Sequence, residues 1–155
     1  MTNYFLDASA LVKRYAQEVG SEWVAEITGE SAGHNILLAE ISEVEVAAAF
    51  AAKERAARAN DPRSRHRALA RFLQDCNERF LVLQVDHRVI ETAIPLTARH
   101  HLRGYDAVQL AAAVVANRSF VERGQASIVF MAADRNLLMA AQAEGLATSN
   151  ALDSS

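Results

Sequence analysis

Asn3-Tyr4-Phe5-Leu6 is a short apolar run that stops at Asp7, and Ala8-Ser9-Ala10-Leu11-Val12-Lys13-Arg14-Tyr15 takes up a helical pattern at once. A strand that passes straight into a helix opens a βα unit, and the event recurs along the chain. Asn35-Ile36-Leu37-Leu38 leads into an alanine-rich helical stretch from Ile41 to Arg58. Phe80-Leu81-Val82-Leu83-Gln84-Val85 leads into a periodic segment from Asp86 to Arg99, and Ser127-Ile128-Val129-Phe130-Met131 into Arg135 to Glu144. These runs are continuous, not alternating, as strands buried on both faces of a parallel sheet should be. Leu146-Ala147-Thr148-Ser149 offers a fifth strand behind Gly145, which stands where a helix C-cap glycine belongs.

The remaining segments complete the pattern. Ser21 to Ile27 is a short helix, and Pro62 suits the first turn of a helix running to Asn77. Asp106 to Asn117 is almost wholly apolar, which marks a central buried helix, with Gly104-Tyr105 as the turn before it. Pro95 is expected to kink or interrupt the segment around it. Ala59-Asn60-Asp61 is the expected exposed joint. The whole reads as an α/β fold of three layers with a mainly parallel sheet, forming a single domain over residues 1–155.

Composition narrows the class. Of 155 residues 51% are hydrophobic and 23% charged, enough apolar material for a core without staples. A lone Cys76 excludes a disulfide framework or a cysteine-rich zinc site. No basic region precedes the first apolar run, and no apolar stretch approaches a membrane span, so a cytoplasmic protein with no membrane association is expected. The net charge of −3 argues against a general nucleic-acid binder, but the charge is unevenly spread. Residues 1–50 hold two basic residues against eight acids, whereas residues 53–79 hold eight against four. That basic stretch either holds an anionic substrate beside an acidic site or simply solvates helix faces.

Four acids occupy informative places. Asp7 ends the first strand, Asp134 follows the fourth, Asp106 precedes the buried helix, and Glu45 lies about a turn into the helix after the second strand. Ligand sites of open parallel sheets form outside the carboxyl ends of the strands, where these side chains can converge. Crowded carboxylates repel one another unless a cation sits among them, and an all-oxygen donor set suits Mg²⁺ or Mn²⁺. A purely structural reading stands beside this one. Asp7, Asp106 and Asp134 are each suited to capping a helix, and Ser42 with Glu45 has the spacing of a capping box.

The motifs around these acids resemble those of PIN-domain ribonucleases, above all the VapC-type toxins of bacterial type II toxin–antitoxin systems. Tyr4 to Lys13 is similar to the family's opening motif. Ser42-Glu43-Val44-Glu45-Val46 is similar to the second, and Arg103-Gly104-Tyr105-Asp106-Ala107-Val108-Gln109-Leu110-Ala111 to the third. Ala133-Asp134-Arg135-Asn136-Leu137-Leu138, followed by Gly145-Leu146, is similar to the fourth. The resemblance implies a sheet ordered 3-2-1-4-5 and an endoribonuclease that uses Mg²⁺, or Mn²⁺, to cleave RNA. It makes Asp7, Glu45, Asp106 and Asp134 the catalytic and metal-binding residues, with Ser9 and Ser42 supporting them. It also implies a cognate antitoxin as partner and a homodimer. Ala132 stands where the family often has Thr or Ser, so a supporting hydrogen bond near Asp134 is expected to be absent.

Arg63, Arg65, Arg67 and Arg71 are the tentative RNA contacts within the basic stretch. His100 and His101 are adjacent on a helix and point about 100° apart, so they are expected at its end and not on a shared metal. Two rival functions remain. One is a catalytically silent PIN-like module that binds RNA or protein. The other is a phosphotransfer domain, for which the chain lacks an Asp-x-Asp after the first strand and a late lysine.

Overall fold

The computed structural model describes residues 1–57 and 62–152. The expected joint at Ala59-Asn60-Asp61 lies outside the described residues, as does Arg58, the expected end of the helix that begins at Ile41 and runs to Ala56. Five parallel strands form one sheet: β1 (Asn3–Leu6), β2 (Asn35–Ala39), β3 (Leu81–Leu83), β4 (Ile128–Ala132) and β5 (Ala147–Asn150). Their order is β3-β2-β1-β4-β5. Both the parallel sheet and its order agree with the expectation from sequence and resemblance.

The continuous apolar runs are explained by helices on both faces. Leu6, Ile36, Leu38 and Met131 point to one side, into a cluster with α1 (Ala8–Tyr15), α2 (Ser21–Thr28), α3 (Ile41–Ala56) and α4 (Pro62–Glu78). Phe5, Leu37, Ala39, Ile128 and Phe130 point to the other, against α5 (His87–His100), α6 (Gly104–Glu122) and α7 (Arg135–Ala143). Each strand therefore buries alternate residues in different cores, which is why no polar residue interrupts it. Phe5 and Phe130, directly paired across β1 and β4, stack at 5.6 Å. No described helix is long and apolar enough to cross a membrane.

Three expectations need correction. Pro95 lies inside α5 without interrupting it. The ring is on the exposed side of the helix, where water can satisfy the carbonyl that loses its partner. The buried helix starts at Gly104, not Asp106, so Gly104-Tyr105 forms its first turn and is no turn ahead of it. Arg103 holds the N-cap position and offers no side-chain cap bond. Ser42 and Glu45 form no capping box either, because the N-cap of α3 is Glu40 and Ser42 is already helical. Gly145 behaves as expected: at φ +90° it turns the chain out of α7, and Leu146 donates back to the carbonyl of Ala141.

The chain crosses from the β3 side to β4 behind β1, so the strand order reverses between β1 and β4. That switch point opens a crevice at the carboxyl ends of the strands. Asp7 follows β1 there directly, and Asp134 follows β4 by two residues.

Candidate active site

Asp7 is held from three directions. Its backbone N–H donates to the carbonyl of Met131 at 3.1 Å, prolonging the β1–β4 pairing past the last strand residue. Its Oδ1 accepts from the N–H of Ala10 at 3.0 Å, capping α1, and from the Ser9 hydroxyl at 2.6 Å. With only 5% of its surface exposed, the carboxyl is pushed from its ordinary 3.8 up to about 7. Burial is the main cause. The bonds from Ser9 and Ala10 pull the other way, and the charges of Asp106 and Glu45 add to the rise.

Ser9 has a second partner, since its Oγ also accepts from the N–H of Ala133 at 3.0 Å. This one hydroxyl links the start of α1 to the turn that carries Asp134. A hydrogen bond thus supports the Asp134 turn from the β1 side even though Ala132 offers none. Asp134 itself is exposed and caps α7, accepting from Asn136 at 2.8 Å and Leu137 at 3.2 Å through Oδ1.

Glu45 and Asp106 come from helices packed on opposite faces of the sheet. Both are half-buried, and both carboxyls are raised above their usual range. For Glu45 burial leads, the Gln109 amide opposes it, and Asp106 adds repulsion. For Asp106 burial again leads, Asp134 adds repulsion, and Arg103 offsets part of it. Every one of the four acids therefore lies within electrostatic reach of at least one other, and Asp106 is the common neighbour.

Gln109 is the residue that sequence reading passed over. It is 1% exposed, and its Nε2 donates to Ser42 Oγ at 2.7 Å and to Glu45 Oε1 at 2.9 Å. The available signal was a lone amide inside the apolar run of α6, three residues after Asp106 and hence on its face. Ser42, fully buried, is engaged by this amide and caps nothing.

The donor set suits a hard cation. It consists of carboxylate oxygens, and among the described residues none of the four acids forms an ion pair. Among the described residues no three Asp, Glu, His or Cys side chains stand close enough to enclose an ion. Mg²⁺ keeps several waters and is commonly bound through one or two carboxylates of the protein, so a closed cage is not required of these residues. Asp7, Asp106, Glu45 and Asp134 are the residues that would hold it.

Several described residues of the basic stretch are engaged elsewhere in the fold. Arg65 pairs with Glu54, Lys53 with Glu18 at 2.6 Å, and Arg79 with Asp75 at 3.2 Å. Arg71 lies over the Tyr15 ring, and Arg63 and Arg67 are exposed on α4. Tyr15 and Lys53 each stand eight residues down a helix from Asp7 and Glu45, roughly 12 Å at 1.5 Å per residue. Asp75 accepts from Arg14, Tyr15 and Arg79, so these charges tie α4 to α1. His100 and His101 end α5 as expected, His100 against Glu144 at 2.7 Å. Burial pushes the Cys76 thiol up to about 12, with Glu43 and Asp75 adding to it, which disfavours the reactive thiolate.

Comparison with known proteins matches the same span of chain. A family model described as PIN domain covers residues 4–146. No curated protein matches the sequence. Among solved structures, PAE2754 from Pyrobaculum aerophilum is 20% identical, with a TM-score of 0.61 over 97% of this chain and 90% of its own. VapBC2 from Rickettsia felis, bound to a DNA fragment from its promoter, is 11% identical with a TM-score of 0.63 over 96% and 98%. FitAcB from Neisseria gonorrhoeae is 14% identical with a TM-score of 0.59 over 96% and 97%. At such identities the likeness shows a shared fold.

Proposed function

This chain belongs to the PIN domain family, and from that premise we propose that it is a metal-dependent endoribonuclease, the toxin of a toxin–antitoxin pair. What carries the reading is that Asp7, Glu45, Asp106 and Asp134 each lie within electrostatic reach of another of the four at the carboxyl ends of the strands. Three of the four carboxyls are raised by burial and by one another. A protein gains no stability from gathering such groups, so the cluster serves something that neutralises it.

Asp7 and Asp106 are the principal ligands in this reading, one on a strand end fixed by three hydrogen bonds, the other in the first turn of the buried helix. When bound, Mg²⁺ or Mn²⁺ supplies neutralisation of phosphate charge and a lowered pKa for water. Glu45, steadied by Gln109, or Asp134 orients the attacking water. In-line attack on phosphorus breaks the P–O3′ bond and leaves a 3′-hydroxyl and a 5′-phosphate. Ser9 holds Asp7 in place, and Ser42 acts only through Gln109.

Purified protein freed of any antitoxin is expected to cut RNA in Mg²⁺ or Mn²⁺ and to stop in excess EDTA. Undiminished cleavage in chelator would overturn the metal reading. Full metal binding with no cleavage of any RNA would instead favour a silent binding module, whose one support is the looseness of the carboxylate cluster.

The likeness to VapBC2 and FitAcB supports an antitoxin partner; that its tail covers the carboxylate crevice, and that the toxin is a single-domain homodimer acting in the cytoplasm, are further parts of the proposal. Arg63, Arg65, Arg67 and Arg71 keep a proposed RNA role, though Arg65 and Arg71 also have partners within the fold. Replacing them by Gln is expected to flatten the salt dependence of RNA binding by about one logarithmic unit per lost phosphate contact. An unchanged slope would make α4 a solvated face.

A further inference from the structure

Ser42 and Glu45 stand one turn apart on α3, and Asp106 and Gln109 stand one turn apart on α6, and hydrogen bonds from Gln109 join the two i, i+3 pairs. Gln109 is the bridge. Its two amide protons are spent on α3, one on Ser42 Oγ and one on Glu45 Oε1. Its carbonyl oxygen Oε1 is buried and, among the described residues, meets no donor. A side chain kept only to fill the core would be apolar, because an unsatisfied buried acceptor is costly and Leu or Met fills the same space. Its neighbours Ala107, Leu110, Ala111, Ala112 and Ala113 are buried and apolar, as the position alone would favour.

We propose that Gln109 is a positioning residue, which fixes the Glu45 carboxylate toward Asp7 and Asp106 so that the cluster receives its cation without rearrangement. The inference rests on the metal reading of the site and adds a role for a residue outside the four acids. Glu45 is otherwise a long, half-exposed side chain with several rotamers, and among the described residues the Gln109 amide is the hydrogen-bond donor given to it. Removing partners that orient metal ligands weakens metal affinity or activity by roughly 10–100-fold.

The test is a double-mutant cycle on the full chain, read by Mn²⁺ calorimetry and by RNA turnover. Gln109→Met keeps the volume and removes both bonds. In the wild-type background it is expected to weaken Mn²⁺ binding at least about tenfold and to lower kcat with little change in KM for RNA. In the Glu45→Ala background the same replacement is expected to cost less than about twofold, since nothing is left to position. Equal losses in both backgrounds, or no loss in either, would overturn the proposal and leave Gln109 as packing. Should Gln109→Met not fold, Gln109→Asn, one methylene shorter and unable to span both acceptors, serves the same cycle. A wild-type protein that binds no Mn²⁺ would overturn the metal reading, and the positioning role with it. Wild-type binding with an additive cycle would overturn the positioning role alone.

Discussion

Asp7→Asn is expected to yield a protein that melts at least as high as the wild type without metal and no longer cuts RNA. Asn caps a helix about as well as Asp, so the bond from Ala10 to the side chain survives the change. What disappears is a buried negative charge beside two others, and its burial opposes folding at neutral pH. The same replacement substitutes a neutral amide for a ligand of a hard cation. Loss of several kcal/mol of transition-state charge stabilisation corresponds to a fall on the order of 10²–10³-fold in rate. Thermal melts in EDTA beside cleavage assays in Mg²⁺ separate the two effects. A variant that stays active, or that merely unfolds, would mean that Asp7 is a cap and nothing more.

The metal-free protein is also expected to lose stability as pH rises from about 4 to about 7. The Asp7 carboxyl titrates at about 7 in the folded chain against 3.8 ordinarily. Between those values the folded state holds a proton that the unfolded state has released, so stability falls through that window and levels off above it. Three pKa units correspond to about 4 kcal/mol at most, and the raised carboxyls of Glu45 and Asp106 act in the same direction. Glu18, Asp75 and Glu144 run oppositely, since their partly buried cationic or hydroxyl partners hold them low and their contribution fades as pH falls below their ordinary values. A maximum at mildly acidic pH is the expected net result in EDTA. Saturating Mg²⁺, which binds the ionised form, should flatten the decline above it. Denaturant melts across pH 4–8 would show this, and a metal-free stability that climbs steadily to pH 8 would contradict it.

Much of the fold was legible because both cores leave their mark on the strands. Ile36-Leu37-Leu38 needs no partner in sequence to be read as buried on two faces, and the α1 boundaries follow from Asp7 as cap. Asp106 was misplaced for the converse reason: α6 begins at Gly104 with no capping side chain, so nothing local marks the start. Pro95 misled because its effect depends on whether the freed carbonyl meets water, which only the packed structure decides. The site shows the same division. Asp7 and Asp134 stand out at strand ends, but bringing them beside Glu45 and Asp106 requires the strand order, which the motif resemblance supplied and local pattern could not. The partners of Arg65 and Arg71 lie on other elements, so the basic stretch looks like a ligand surface in the sequence. Gln109 was lost among alanines, because counting apolar residues along a helix discards the one polar residue that matters.

Asp106→Asn is the most direct measurement of the central claim that these carboxylates serve a cation. Asp106 makes no side-chain cap bond, so its replacement gives up at the N-terminus of α6 only a charge–dipole contact, which relief of repulsion from the neighbouring acids offsets, and it neighbours all three other acids electrostatically. RNA cleavage by wild type and variant should be followed across a Mg²⁺ titration, with melting curves in EDTA as the control for folding. The account predicts a variant folded at least as stably as the wild type whose cleavage is lost at every Mg²⁺ concentration. A folded variant that cuts RNA with the wild-type dependence on Mg²⁺ would contradict it.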